Sequence, residues 1–201
     1  FETTTAFDSF RLLESLNALL PKTIGIKSVA KVDPTFDPIS HAKAKIYRYC
    51  LWRGKCFNPF LEPYVWNVSH NLCIDTLQES LTKLIGEHDF TSFCNTDSGA
   101  RTKVRNILDA KVVDHGDRID IWFLGEGFLK QMVRIIVGTL VDLSEQRISA
   151  TNIETILLTK SRTKAGQTAP PQGLSLVEVY YDCVPTIDAV LARMKSQSFF
   201  L

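Results

Sequence analysis

The chain of 201 residues lacks any charge imbalance: 23 Lys and Arg stand against 22 Asp and Glu, so the totals point to no class of partner. It lacks a Cys-x-x-Cys pair as well. The five cysteines, Cys50, Cys56, Cys73, Cys94 and Cys183, are scattered and odd in number. That pattern argues against a disulfide framework or metal ribbon and predicts reduced thiols in a cytoplasmic protein. His and Cys show no metal-ligand spacing, so no metal is expected. No apolar run approaches the roughly 20 residues of a membrane span, and no signal-peptide layout opens the chain. Internal repeats and low-complexity segments are absent too. One absence is local: between Pro38 and Leu61 there is no acidic residue.

That window holds Lys43, Lys45, Arg48, Arg53 and Lys55, interleaved with Tyr47, Tyr49 and Trp52. On a strand, side chains alternate, so Lys45, Tyr47, Tyr49 and Leu51 share a face. Cations for phosphates beside flat rings for bases suit a nucleic-acid surface. An edge strand guarded by lysines over a partly aromatic core has the same composition. Two further basic clusters occur, Arg101-Thr102-Lys103-Val104-Arg105 and Lys160 with Arg162 and Lys164. Each is either a solvated face or part of a polyanion site.

Local signals predict the elements. Asp8 or Ser9 caps a helix carrying Leu12, Leu13, Leu16, Leu19 and Leu20, ended by Pro21. "IGIKSVAKV" (Ile24–Val32) reads as a strand, and after the turn "DPTFDP" so does Lys43–Arg53. A helix is expected over Asp75–Ile85, with Leu77, Leu81, Leu84 and Ile85 on one side and Gly86 after it. Strands near Val104–Val113 and Ile119–Leu124 flank the turn "DHGD". Helices follow over Gly127–Leu140 and about Ser149–Leu158. The Ala165–Gly173 stretch reads as an ordered loop, Leu174–Tyr181 as a strand and Thr186–Lys195 as a closing helix. Strands and helices mix without regular alternation, which predicts an α+β fold with an antiparallel sheet.

The helix "GFLKQMVRIIVGTL" (Gly127–Leu140) carries a charged residue, Arg134, in its apolar middle. Either this side chain bends out to water or the fold keeps a partner for it. Helical spacing would put Lys130, Arg134 and Gly138 on one stripe, with Gly138 leaving room for an approaching segment.

Four stretches, "AKAKIYRY" (Ala42–Tyr49), "GEHDFTSF" (Gly86–Phe93), "GFLKQMVRIIVG" (Gly127–Gly138) and "KSRTKAGQTAPPQGLSLVEV" (Lys160–Val179), resemble the tRNA pseudouridine synthase A family in order and approximate spacing. The resemblance reaches to about Tyr181. It implies the pseudouridine synthase fold, a mixed or antiparallel sheet flanked by helices around an RNA-binding cleft. Implied organisation is 1–35 as the remainder of an N-terminal subdomain, 36–185 as the catalytic and RNA-binding subdomain, and 186–201 as a C-terminal helix. It implies isomerisation of uridine in the tRNA anticodon stem-loop, without cofactor or metal, by a homodimer.

By the same resemblance, Arg134 sits beside a catalytic aspartate and the target nucleotide, where a guanidinium holds a carboxylate through paired hydrogen bonds. Tyr47 matches the active-site tyrosine that packs on uracil; its plainer alternative is a core tyrosine with a bonded hydroxyl. Leu174 and Leu176 match the apolar strand beneath the base, though a strand leucine is often simply core. Phe36–Ser40 and Asp97–Arg101 match tRNA-contacting loops. Phosphate-contact candidates are Lys43, Lys45, Lys55, Arg101, Arg105 and Lys130.

Two departures stand out. The family's nucleophile belongs to a Gly-Arg-Thr-Asp-x-Gly-Val-His stretch that this chain lacks, and the expectation is that the stretch lies upstream of a strand finished by "FETTT". Asp97 in "TDSGAR" has a Thr-Asp-x-Gly context but falls after the tyrosine motif, in a variable loop, and is rejected as a substitute. "FDPIS" (Phe36–Ser40) places Ile39 where the family commonly has an RNA-contacting arginine. The alternatives are a non-catalytic binder of structured RNA with the same fold and, more remotely, a structural α+β protein without RNA.

Overall fold

A computed structural model describes residues 3, 7–56, 58–68, 72–148 and 152–196. The chain divides into two compact units, residues 1–41 and 42–201.

In the first unit, α1 (Ser9–Leu19) begins where the Asp8 carboxylate accepts from the Arg11 amide at 2.9 Å. Pro21 ends it, as expected. The expected strand over 24–32 does not form. Its third residue, Ile26, has both backbone groups taken by one side chain: Asn17 Oδ1 accepts from the Ile26 amide at 2.7 Å and Asn17 Nδ2 donates to its carbonyl at 3.0 Å. Backbone groups occupied in this way are not available to a ladder. The "FETTT" strand end lies outside the described residues, apart from residue 3.

The second unit holds a mixed sheet of six strands: β1 (Ala44–Trp52), β2 (Trp66–Asn67), β3 (Gly86–Asp89), β4 (Val104–Asp114), β5 (Arg118–Gly125) and β6 (Leu174–Tyr180). Their order is β2-β1-β5-β4-β3, with β6 pairing antiparallel to β1 beside the short parallel β1–β2 pair. The other pairs are antiparallel. The α+β class with a mixed sheet is thus the one expected. The β4–β5 hairpin turns at Gly116, whose φ of +84° suits glycine. Asp114 Oδ1 accepts the Gly116 amide at 2.9 Å, and Arg53 clamps the same carboxylate at 2.9 and 2.8 Å.

Alternation along the strands sorts the core into two layers. On one face Tyr47, Tyr49, Leu51, Ile119, Ile121 and Phe123 meet α2 (Ile74–Thr82), α3 (Met132–Ser144) and α4 (Ile153–Thr159). On the other, Ala44, Ile46, Trp122 and Leu124 meet Ile187 and Val190 of α5 (Ile187–Ser196). Buried on both faces, β5 is a nearly continuous apolar run.

Helix boundaries depart from the expected ones in instructive places. The helix expected from Gly127 begins only at Met132, because Gln131 is left-handed with φ 61°. The preceding backbone is bonded elsewhere: the Glu126 amide donates to the Asn106 carbonyl and the Lys130 carbonyl accepts from Asn95. Asn152, accepting from the Thr155 amide at 2.8 Å, starts α4 later than expected; Ser149 lies outside the described residues. Ile85 falls beyond the end of α2 and is 37% exposed.

Candidate active site and RNA interface

The site is built on β1, β6 and α3. Tyr47, half-buried on β1, has Leu176 of β6 as its cross-strand partner, and Tyr49 has Leu174. Leu176 is 50% exposed while Leu174 packs into the core, so only the former presents an apolar surface outward. Phe128 meets the Tyr47 ring edge-on at 5.1 Å between centroids. Burial raises the pKa of Tyr47, which keeps its hydroxyl protonated through the physiological range. Tyr49 is fully buried and its hydroxyl donates to the Pro170 carbonyl at 2.7 Å, so the bonded core tyrosine is Tyr49.

Arg134 is half-exposed among buried neighbours on α3. Its Nε donates to the Ala169 carbonyl at 2.7 Å, and the Ala169 amide donates back to the Arg134 carbonyl at 3.0 Å. The guanidinium stands close enough to Tyr49 for its charge to oppose the rise that burial imposes on that phenol. The fork therefore lies on the tyrosine side of the helix. Its two terminal nitrogens meet no carboxylate among the described residues.

A strap, residues 165–170, lies along α3 and completes this wall. Its Gly166 amide donates to Thr139 Oγ1 at 2.9 Å, and its Gln167 amide to Asp142 Oδ2 at 2.8 Å. Arg162 ties the strap to itself, donating to the Gly166 carbonyl at 2.9 Å and Thr168 Oγ1 at 3.1 Å. The stripe that matters is consequently Arg134–Gly138–Asp142. The approaching segment for which Gly138 leaves room is the chain's own Gln167 carbonyl.

Lys130 is not on that stripe. It precedes the helix, and its Nζ pairs with Asp97 at 2.7 Å, both side chains more than half exposed. This corrects the expected Lys130–Arg134–Gly138 alignment and follows from the late helix start. The Asp97 loop is further held by Asn95, whose Nδ2 donates to Gln131 Oε1 at 3.2 Å. Arg101 is exposed; Arg105 is half-buried, donating to the carbonyls of Thr102 and Val104 at 3.1 and 2.6 Å. Lys43 is exposed and Lys45 half-buried at the start of β1, whereas exposed Lys55 lies past its other end. The nine residues of β1, about 30 Å of backbone, lie between Lys43 and Lys55, so these groups do not form one cluster. In the first unit, Ile39 is 77% exposed and Asp37 Oδ1 accepts the amides of Ile39 and Ser40.

Sequence reasoning named Tyr47, Leu174, Leu176 and Arg134; the structure pairs Tyr47 with Leu176 and Tyr49 with Leu174, and sets Arg134 within electrostatic range of Tyr49. It missed Phe128, Asp142 and Gln167. The i, i+4, i+8 spacing of Arg134, Gly138 and Asp142 was the available signal for the second. Nothing local marks Gln167 or Phe128.

A family model described as tRNA pseudouridine synthase matches residues 81–182. The tRNA pseudouridine synthase A of Anoxybacillus flavithermus is 41% identical over 182 residues, covering 90% of this chain and 74% of that protein. Its counterpart in Bacillus licheniformis is 40% identical over 168 residues, covering 84% and 68% respectively. The Exiguobacterium counterpart is 38% identical over 184 residues, covering 92% and 74%. A mixed six-stranded sheet flanked by helices is consistent with the α+β pseudouridine synthase fold. The chain belongs to the tRNA pseudouridine synthase family.

Proposed function

We propose that this protein isomerises uridine to pseudouridine in the anticodon stem-loop of tRNA, and that Arg134 and Tyr47 line the pocket where it does so. The observation carrying the reading is the half-satisfied guanidinium. Nε is spent on a backbone carbonyl, which leaves two parallel N–H donors for a carboxylate or a phosphate. In the reaction the N1–C1′ bond breaks, the base turns, C5 bonds to C1′, and the C5 proton leaves as N1 gains one. No redox partner is needed because product and substrate are isomers. The carboxylate that such chemistry requires against Arg134 comes from outside the described residues.

Tyr47, held edge-on by Phe128 and flanked by Leu176, offers a flat ring and a protonated hydroxyl to an extruded uracil. Lys43, Lys45, Lys55, Arg101, Arg105 and Lys130 are the candidates to meet the phosphates around it. Lys130 would do so only by sharing its charge with Asp97. We place the protein in the cytoplasm as a homodimer binding tRNA. No helix among the described residues is long and apolar enough to cross a membrane.

The test is tritium release from tRNA transcripts labelled at uridine C5, using the full encoded protein. Release that requires an intact anticodon arm is the expected result. Salt-sensitive tRNA retention without release would instead establish a binding module of the same fold.

A further inference from the structure

A long guanidinium side chain has many rotamers, and fixing one of them costs conformational entropy. Aiming Arg134 therefore needs a rigid acceptor. That acceptor, the Ala169 carbonyl, belongs to a strap with no sheet ladder of its own, so its position depends on what grips residues 166–169.

The grip is mainly Asp142. This carboxylate is 5% exposed, two turns beyond Arg134 on α3, about 12 Å along the axis. Its Oδ2 accepts the Gln167 backbone amide at 2.8 Å, and its Oδ1 accepts Gln167 Nε2 at 2.9 Å. Arg147 Nη1 lies 3.7 Å from Oδ1. A buried carboxylate accepting from both the main chain and the side chain of one residue fixes that residue in place and orientation. Packing reinforces the register: a Cβ on Gly166 would stand 2.5 Å from Asp142 Oδ2 and 2.8 Å from the Thr139 Cα, so the strap lies directly against the helix.

We propose that Asp142 is a positioning residue for the isomerisation: by gripping Gln167 through both carboxylate oxygens it seats the strap along α3 and so fixes the carbonyl that aims Arg134. Asp142 itself touches no substrate. The inference rests on the isomerase reading for its kinetic consequence, but not for its structural one.

Two variants of the full protein separate the roles. Asp142→Leu keeps the approximate size and removes both acceptors. Asp142→Asn keeps one acceptor for the Gln167 amide, and the Gln167 side chain can rotate its own oxygen toward the new NH2 group. Asp142→Leu should lower kcat roughly 10- to 100-fold with little change in tRNA affinity, while Asp142→Asn should recover most of that loss. In an Arg134→Lys background, Asp142→Leu should cause no further loss, since it acts through the arginine. Hydrogen exchange at the Arg134 Nε–H, followed by NMR, should be slow in the native protein and fast in Asp142→Leu. Multiplicative losses in the double variant, or a protected Nε–H in Asp142→Leu, would overturn the proposal. Should Asp142→Leu fail to fold, Gln167→Ala removes the Nε2 contact alone and must still speed that exchange. A native protein that releases no tritium would sink the isomerase reading, and the exchange measurement would still decide the positioning.

Discussion

Gly138 turns its bare α-carbon toward the carbonyl of Gln167, so close that an added Cβ would stand 1.9 Å from that oxygen and 2.9 Å from its carbon. A backbone carbonyl cannot swing aside as a side-chain tip can. Gly138→Ala gains up to about 1 kcal/mol of helix propensity, but it must push the strap off α3, and overpacking of this kind costs typically about 1–3 kcal/mol or more. The urea midpoint of Gly138→Ala should fall. A midpoint raised by helix propensity would show that the strap does not lie there.

Replacing Arg134 by lysine keeps the charge but not the fork. One ammonium cannot donate to the Ala169 carbonyl and present a parallel pair of donors as well. Arg134→Lys should leave the unfolding free energy within about 0.5 kcal/mol of native and lower turnover roughly a hundredfold. Native turnover with lysine in place would remove Arg134 from the chemistry.

Asp97 stands in an attractive sequence context, yet it is exposed and spends its carboxylate on Lys130. A pair this open contributes about 0–1 kcal/mol. Tritium release by Asp97→Asn should stay within about twofold of native, as expected for a surface substitution. A collapse of activity would make Asp97 the nucleophile after all.

Alkaline pH should destabilise the second unit in a defined window. Burial, with the nearby Asp120 charge adding to it, pushes the Cys50 thiol from an ordinary 9.0 up to about 12. Burial likewise raises Tyr49 above its usual 10.0. A raised folded pKa means that the unfolded chain loses the proton first, so stability is complete below the unfolded value and declines above it. Urea midpoints should therefore fall steadily from pH 9 toward 12. Cys50→Ala should flatten the first part of that fall, above pH 9, and Tyr49→Phe the part above pH 10. An unchanged slope in Cys50→Ala would show that the thiol is not buried against Asp120.

The hairpin of β4 and β5, the strand β6 and the helices α2 and α5 were legible in the chain because each carries its own signal: a turn sequence with Gly116, alternation, an apolar stripe. Tyr47 and Arg134 gained their candidate roles only through family resemblance, since a core tyrosine and a snorkelling helix arginine are common in any fold. The failures share one cause. Residues 24–32 alternate well enough for a strand, but Asn17 occupies the backbone groups of Ile26. Residues 127–131 are apolar enough for a helix, but Asn95 claims the Lys130 carbonyl.

By itself, then, the order of residues determined fold class, most elements and the family, because periodicity and turn chemistry act over a few neighbouring positions. Tertiary structure alone decided that the strap docks along α3, with Gln167 over Gly138 and bonded to Asp142, and Ala169 bonded to Arg134. Those pairings join residues 25 to 35 positions apart. Which donor meets which acceptor at such separations depends on how the strap docks, and that is written in no local pattern.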